Sequence, residues 1–148
     1  MKINKAIENG YSFLQKYNIQ SARLDSEILM SLAIKKEREY IILNSDKELK
    51  NESFSIFQDL IIKRSKGKPI AYLIGKKNFW KNEFIVSEDI LIPRPDTEIL
   101  IEHTLRIVKR KSSLNLLEIG VGSGCIILSI LNEKKDFYGT GIDISKKC

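Results

Sequence analysis

The chain has 148 residues, of which 43% are hydrophobic and 30% charged, a composition typical of a globular protein rather than a disordered one. No apolar run approaches the roughly 20 residues that span a bilayer, and the first residues lack the apolar segment of a secretory signal, so we expect a cytoplasmic protein without a membrane partner. The formal net charge is +6, but the 25 basic residues are mostly dispersed lysines, so we expect no direct nucleic-acid site.

The first 75 residues predict a small bundle of four helices. Apolar residues recur at helical spacing in four stretches: Ile3 to Leu14, Leu24 to Leu32, Glu37 to Leu43 and Phe54 to Ile61. Ser21 is a candidate N-cap for the second helix. Gly67 and Pro69 are expected to end the fourth, because glycine accepts the left-handed conformation after a helix and proline cannot continue one.

From residue 76 the period of the apolar residues changes. The stretches NFWKNEFIV and DILIP predict two short strands around a turn at Lys81 and Asn82, with Phe79, Phe84 and Val86 as packing residues. We expect residues 76–92 to form a hairpin linker.

The stretch PRPDTE begins a new α/β region near Pro93. Its two prolines stiffen an extended segment, and Asp96 or Thr97 is expected to cap a helix that carries Ile101. The carboxylates of Asp96 and Glu98 are explained by the start of this helix, where negative charge is favourable.

The last third of the chain predicts strand, glycine turn, helix and strand. NLLEI reads as a buried strand, GVGSG as the turn, CIILSILNEK as the helix and FYGTGID as the second strand, which ends on Asp143. In such a βαβ unit the turn and the carboxyl end of the second strand meet at one edge of the sheet, where these folds bind ligands.

The glycine turn indicates a ligand that contains a nucleoside. Gly120, Gly122 and Gly124 permit close approach to the backbone, and Asp143, 19 residues beyond Gly124, can accept hydrogen bonds from a ribose diol. The dinucleotide fingerprint would place glycine where Cys125 stands, and a phosphate-binding P-loop would place Lys and then Ser or Thr after the last glycine. S-adenosylmethionine, NAD or FAD, and a purely structural turn remain as interpretations of this motif.

The wider sequence resembles the release factor glutamine methyltransferase family from about Arg64 to Ser145. RSKGKPIAYLIGKKNFWKNEFIV, ILIPRPDTEILIEHTL, LLEIGVGSGCIILSI and GIDIS occur in the order of that family, and ARLDSEILM fits its substrate-recognition domain. The resemblance implies a helical substrate-recognition domain at 1–75, a β-hairpin linker at 76–92, and at 93–148 the first βαβ unit of a class I (Rossmann-like) methyltransferase domain, incomplete in this chain.

The resemblance also implies an activity, a cofactor and a partner. The activity is methyl transfer from S-adenosylmethionine to the side-chain amide nitrogen of the glutamine in the Gly-Gly-Gln loop of peptide chain release factors. The family's sites map the methionine part of the cofactor onto Gly120, Val121, Gly122, Ser123 and Gly124, and its ribose onto Asp143. Glu118 should orient the turn, while Arg94, Pro95 and Thr97 would border the cofactor and the substrate opening.

The family's catalytic motif, Asn-Pro-Pro-Tyr, is absent from the 148 residues and would lie beyond Cys148. An amide nitrogen is a poor nucleophile that must be held in line with the methyl group, so we expect no turnover by this chain alone. The alternative is a non-catalytic fragment that binds release factor or cofactor.

Three other side chains have simpler interpretations. His103 is expected to be solvated, Trp80 to be a packing residue and Cys125 to be a small core residue. The two cysteines have no metal-ligand spacing, so we expect no metal site and no disulfide framework.

Overall fold

The computed structural model describes residues 1–148, which form two compact units, Met1–Ile74 and Gly75–Cys148. The predicted fold class, helices followed by a hairpin and the beginning of an α/β domain with a parallel strand pair, is confirmed. None of the helices is long and apolar enough to cross a membrane. The assignment of separate functions to residues 1–75, 76–92 and 93–148 stays a prediction.

The first unit contains five helices. They are α1 (Ile3–Lys16), α2 (Ala22–Ile34), α3 (Arg38–Leu43), α4 (Asn51–Ser65) and α5 (Ile70–Ile74). The four predicted helices are present, and α4 ends before Gly67, whose φ of 90° is left-handed. Helix α5 was missed because five residues are too short to show a helical period.

The core of the first unit lies between α1, α2 and α4. Its most buried large side chains include Ile3, Ile7, Leu14, Leu29, Met30, Phe57 and Ile61. Full burial of each such side chain stabilises the folded state by about 1.5–3 kcal/mol relative to exposure. Most of the apolar positions read from the sequence are therefore core positions, but Leu24 and Leu32, at the ends of the predicted apolar pattern of α2, are 45% and 36% exposed.

An ion pair ties the beginning of α2 to the end of α4. Nε of Arg64 donates to Oδ2 of Asp25 at 2.7 Å, and the Asp25 side chain is only 3% exposed. The Ser21 hydroxyl donates to the same oxygen at 2.9 Å. Ser21 thus occupies the predicted N-cap position but makes no capping bond to the backbone, so that part of the prediction is wrong.

Gly10 lies where α1 passes closest to its neighbours, and Gly10→Ala should destabilise the bundle. A Cβ at this position would lie 2.6 Å from Oγ of Ser26 and 2.7 Å from the Phe57 ring. Alanine gains about 1 kcal/mol of helix propensity, but overpacking costs about 1–3 kcal/mol, so we expect a net loss of up to about 2 kcal/mol in urea denaturation. Ser12→Ala, on the exposed face of α1, is the control and should not destabilise; equal stability of the two variants would contradict the packing argument.

The second unit begins with a hairpin and ends with a parallel strand pair. Its elements are β1 (Lys76–Phe79), β2 (Asn82–Ile85), a 3-10 turn (Pro95–Thr97), α6 (Glu98–Ile107), β3 (Asn115–Ile119), α7 (Cys125–Glu133) and β4 (Tyr138–Ile142). The hairpin turn is Trp80–Lys81 rather than Lys81–Asn82, since Asn82 pairs with Phe79. The predicted strand in DILIP is wrong: β2 already pairs with β1, and residues 89–93 form a turn and an extended segment without strand partners.

The hairpin shares a hydrophobic core with the helices of the second unit. Its buried members are Phe79, Phe84, Ile101, Val108, Ile130 and Phe137. The rings of Phe79 and Phe84 pack edge to face, with 6.2 Å between their centroids. The hairpin therefore belongs to this unit as a packed element, and Val86, also expected to pack, is buried as well.

The pair of β3 and β4 is covered on one face only. Leu116 is half-buried, whereas Leu117 and Ile119 are 63% and 77% exposed. Because α7 packs against a single face of the two strands, the other face has no element of this chain over it. The prediction that NLLEI is a fully buried strand is wrong for this reason.

Candidate functional site

The glycine turn between β3 and α7 has a backbone that other residues would adopt only with strain. Gly120, Gly122 and Gly124 have φ angles of 76°, 51° and 74°. A Cβ at Gly120 or Gly122 would meet no atom within 4 Å. These two glycines are therefore required by the backbone conformation, and the space above them is open.

The turn is joined to the carboxyl end of β4. The N–H groups of Gly120 and Val121 both donate to the carbonyl of Ile142, at 2.8 and 3.1 Å. The N–H of Gly122 donates to Oδ2 of Asp143 at 2.9 Å. The structure thus brings together the turn and the carboxylate that the sequence places 19 residues beyond Gly124.

Asp143 is exposed, and hydrogen bonds stabilise its ionised carboxylate. Its Oδ1 accepts the N–H of Ser145 at 2.8 Å, in addition to the bond from Gly122. These donors, Ser145 first and Gly122 second, lower the pKa of Asp143 below its ordinary value. The ionised carboxylate keeps further lone pairs on both oxygens, with which it can accept hydrogen bonds from a ligand.

Glu118 lies on β3 beneath the turn and contacts the helix that follows it. Its Oε2 accepts the N–H of Ile127, in the first turn of α7, at 2.9 Å. Burial raises the pKa of Glu118, and the bond from Ile127 opposes this to a smaller extent. The side chain fixes where α7 begins, and its role in orienting the turn stays a prediction.

The raised pKa of Glu118 predicts how its amide variant behaves with pH. A carboxyl group whose pKa is raised on folding stabilises the fold while protonated, and that contribution is lost as pH rises through the folded pKa. We therefore expect Glu118→Gln, which keeps an oxygen for Ile127, to be at least as stable as the natural chain at pH 7 in thermal denaturation. The stability advantage of Glu118→Gln should vanish below pH 4.5, the ordinary pKa of a glutamate side chain.

Glu102→Gln is the control for this prediction, because Glu102 is an exposed partner of Arg106 on α6. It should show no stability advantage at pH 7. A clear loss of stability in Glu118→Gln at pH 7 would contradict the prediction and would mean that the charge of Glu118 at the start of α7 outweighs its burial.

Two glycines of β4 were not singled out from the sequence, although they shape the site. A Cβ at Gly141 would lie 2.6 Å from Cγ2 of Val121 in the turn, and one at Gly139 would lie 2.8 Å from Cδ1 of Ile127. Glycine inside a strand is itself a signal of close approach by another element. The stretch FYGTGID contains two such glycines, so the sequence could have predicted that β4 packs closely against α7 and the turn.

The Arg94–Thr97 segment begins α6. Arg94 is extended, Pro95 to Thr97 form the 3-10 turn, and neither Asp96 nor Thr97 makes a side-chain capping bond. Glu98 accepts the N–H of Trp80 at 2.8 Å and so holds the hairpin turn. The proposed border of cofactor and substrate at Arg94, Pro95 and Thr97 stays a prediction.

A groove of about 720 Å³ opens beside the glycine turn. It is lined by β2, by Ile90, by Gly122 and Ser123, by Leu128, Leu131 and Asn132 of α7, and by Lys135, Phe137 and Cys148. Its volume lies in the range of about 300–1,000 Å³ that is typical of ligand pockets. The turn therefore faces a concavity large enough for a ligand.

His103, Trp80 and Cys125 have the simpler roles expected from the sequence. His103 is exposed on α6, and Trp80 packs on the second core while its Nε1 donates to Glu133 at 3.0 Å. Cys125 packs against the same core, and burial raises the pKa of its thiol. A thiol with a raised pKa is a poor nucleophile at neutral pH.

The residues around the turn fit the nucleoside and amino-acid parts of S-adenosylmethionine. The open space over Gly120 and Gly122 admits a ligand close to the backbone, and Asp143 supplies an acceptor for ribose hydroxyls. The turn lacks the lysine with which a P-loop binds the phosphates of a nucleoside triphosphate. S-adenosylmethionine carries no phosphate and does not need that lysine.

Comparison with known proteins supports the same family as the motifs. Residues 5–75 match the PrmC N-terminal domain. The chain is 40% identical over 147 residues to the release factor glutamine methyltransferase of Buchnera aphidicola subsp. Baizongia pistaciae, covering 99% of this chain and 53% of that protein. The enzymes of the same name from Leptospira interrogans and Shewanella oneidensis are 38% and 37% identical, covering 95% and 84% of this chain and 50% and 43% of theirs. The chain thus spans about half the length of these curated relatives.

Proposed function

We propose that this chain, which belongs to the release factor glutamine methyltransferase family, contributes to methyl transfer from S-adenosylmethionine to the glutamine of the Gly-Gly-Gln motif in peptide chain release factors. One observation carries the proposal: the N–H of Gly122 and the carboxylate of Asp143 meet at 2.9 Å at the sheet edge, beside open space. Ligands of open α/β sheets bind at this edge, where an acidic side chain can accept hydrogen bonds from a ribose.

In this proposal each part of the site has one task. The methionine part of the cofactor lies over Gly120 to Gly124, and Asp143 accepts hydrogen bonds from the ribose hydroxyls. Glu118 fixes the start of α7 and so the end of the turn. When bound, the cofactor supplies a methyl group on a sulfonium sulfur, an electrophile that needs only a correctly held nucleophile.

The remaining residues would serve the protein substrate. Residues 1–75, which contain their own hydrophobic core, would recognise the release factor, and the Arg94–Thr97 segment would border the opening. Because Asn-Pro-Pro-Tyr does not occur in the 148 residues, we expect this chain alone to bind without measurable turnover.

Calorimetric titration of the chain with S-adenosylhomocysteine, the product form of the cofactor, tests the cofactor site. We expect saturable binding that Asp143→Ala weakens by about tenfold or more, the loss of hydrogen bonds to a charged group. Asp59→Ala, on α4 of the other unit, is the control and should bind as the natural chain does. Binding of NAD in place of S-adenosylhomocysteine, or equal binding by Asp143→Ala, would contradict the assignment.

Transfer of radiolabelled methyl groups to purified release factor tests the expectation of no turnover. Incorporation by the 148-residue chain would show an active enzyme and overturn that expectation. Binding of release factor without incorporation is the expected result, which the alternative, a non-catalytic fragment that binds release factor or cofactor, shares. Absence of binding to both would contradict the proposed function as a whole.

A further inference from the structure

Strand β2 borders the groove beside the glycine turn with its edge. Asn82, Glu83, Phe84 and Ile85 all line the groove, although successive side chains of a strand point to opposite faces. A face of the hairpin would contribute only alternate residues. Four consecutive residues indicate that the main chain of β2 runs along the groove wall.

The groove-side edge of β2 has unpaired main-chain groups. The N–H of Val86 donates to the carbonyl of Gly75, and in an antiparallel ladder every second residue bonds to the same partner strand. The main-chain groups of Asn82 and Phe84 therefore point to β1, and those of Glu83 and Ile85 point away from it. The N–H and C=O groups of these two residues make no hydrogen bond within the chain.

The opposite wall of the groove is mainly apolar. It is formed by Leu128, which is 48% exposed, and Leu131 of α7, while Ile85 on the β2 side is 79% exposed. One polar bond joins this wall to β2, since Nδ2 of Asn132 donates to Oδ1 of Asn82 at 2.9 Å.

Only one charged side chain of the groove lacks an ion-pair partner. Glu83 pairs with Lys76 at 2.7 Å, whereas Lys135 donates to the neutral side chain of Asn132 at 3.0 Å and keeps its positive charge. The groove therefore favours a mainly apolar occupant without basic side chains.

The combination of a free strand edge and an apolar wall selects an extended polypeptide. The main chain of an extended polypeptide offers donors and acceptors that match the spacing of the free N–H and C=O groups of Glu83 and Ile85. Its side chains point alternately towards α7 and away from it. Nucleotides and lipids lack such a row of donors and acceptors. The end of the groove at Gly122 and Ser123 is the cofactor turn.

We propose that a mainly apolar, extended segment of the protein substrate pairs with the free edge of β2 at Glu83 and Ile85 and is thereby led towards Gly122 and Ser123. This inference rests on the proposed function, which supplies the protein substrate. It adds a route of entry and two residues that act through their main chain, so their side-chain identity matters little.

Amide hydrogen exchange of the full chain, measured by NMR with and without purified release factor, tests the pairing directly. Without release factor, the N–H groups of Glu83 and Ile85 should exchange freely while those of Phe84 and Val86 are protected by β1. Saturation with release factor should slow exchange at Glu83 and Ile85 by about tenfold or more, because both acquire acceptors. The N–H groups of Phe84 and Val86 serve as internal controls.

Two variants separate the main chain from the side chain. Ile85→Pro removes a donor that faces the groove while keeping every bond to β1, so it should weaken release factor binding by about fivefold to tenfold, the effect of one main-chain hydrogen bond. Ile85→Val keeps the donor and should bind as the natural chain does. Fluorescence of Trp80, the single tryptophan, reports whether the hairpin stays folded in both.

The outcomes distinguish failure of the proposed pairing with β2 from failure of the proposed function. Binding of release factor with unchanged exchange at Glu83 and Ile85, or equal binding by the proline and valine variants, would overturn the pairing and leave the proposed function standing. Protection of these amides by self-association of the chain, seen in sedimentation without release factor, would also overturn it. No binding of release factor would overturn the pairing, and no binding of S-adenosylhomocysteine in addition would overturn the proposed function as well.

Discussion

Asp25→Ala is expected to lower the free energy of unfolding of the first unit by about 3–5 kcal/mol, the usual cost of removing one partner of a buried ion pair. Arg64, whose side chain is only 16% exposed, would lose its carboxylate acceptor, and the Ser21 hydroxyl would lose its acceptor as well. Water cannot fully replace these bonds at so enclosed a position. Urea denaturation followed by the helical circular dichroism signal measures the effect.

Asp59→Ala is the matched control for this prediction. Asp59 also forms an ion pair with a basic residue of α4, Lys63 at 2.6 Å, but both side chains are about half exposed, at 59% and 49%. Exposed pairs at this spacing contribute about 0.3–0.5 kcal/mol. Similar losses in the two variants would contradict the view that burial makes the Asp25 pair indispensable, whereas a large difference would support it.

Gly122→Ala is expected to weaken cofactor binding by about tenfold or more, because it changes the ligand site in two ways. The φ of 51° at Gly122 strains any residue with a Cβ, at a cost of about 1 kcal/mol. The added methyl group also projects into the open space over the turn, where the methionine part of the cofactor is proposed to lie. Titration with S-adenosylhomocysteine gives the loss of affinity.

Gly67→Ala separates backbone strain from ligand contact. Gly67 also has a positive φ, 90°, and open space around its Cβ position, but it lies after α4 in the other unit. Both variants should lose a similar, small amount of stability, and only Gly122→Ala should lose affinity for the cofactor. Unchanged affinity in Gly122→Ala would contradict the placement of the ligand over the turn.

Much of the architecture was predictable because its signals are local. Four of the five helices of the first unit follow from apolar residues at a period of 3.6, which requires no knowledge of the partner surface. The turn at Gly120 to Gly124 and the carboxylate of Asp143 follow from strand, glycine and strand in sequence, since parallel connections have a fixed hand. The hairpin register was off by one residue because Trp80, with a φ of 54°, carries no sequence signal of a turn.

The sequence by itself determined every helix but α5, the α/β class and the residues that meet at the sheet edge, because these depend on short-range patterns and on chain connectivity. Only the tertiary structure decided three features: the Arg64 partner of Asp25, the close fit of Gly10 against Phe57, and the free edge of β2 along the groove. Each depends on which residues distant in the chain come within a few ångströms, and burial and unpaired main-chain groups are properties of that packing rather than of any one segment.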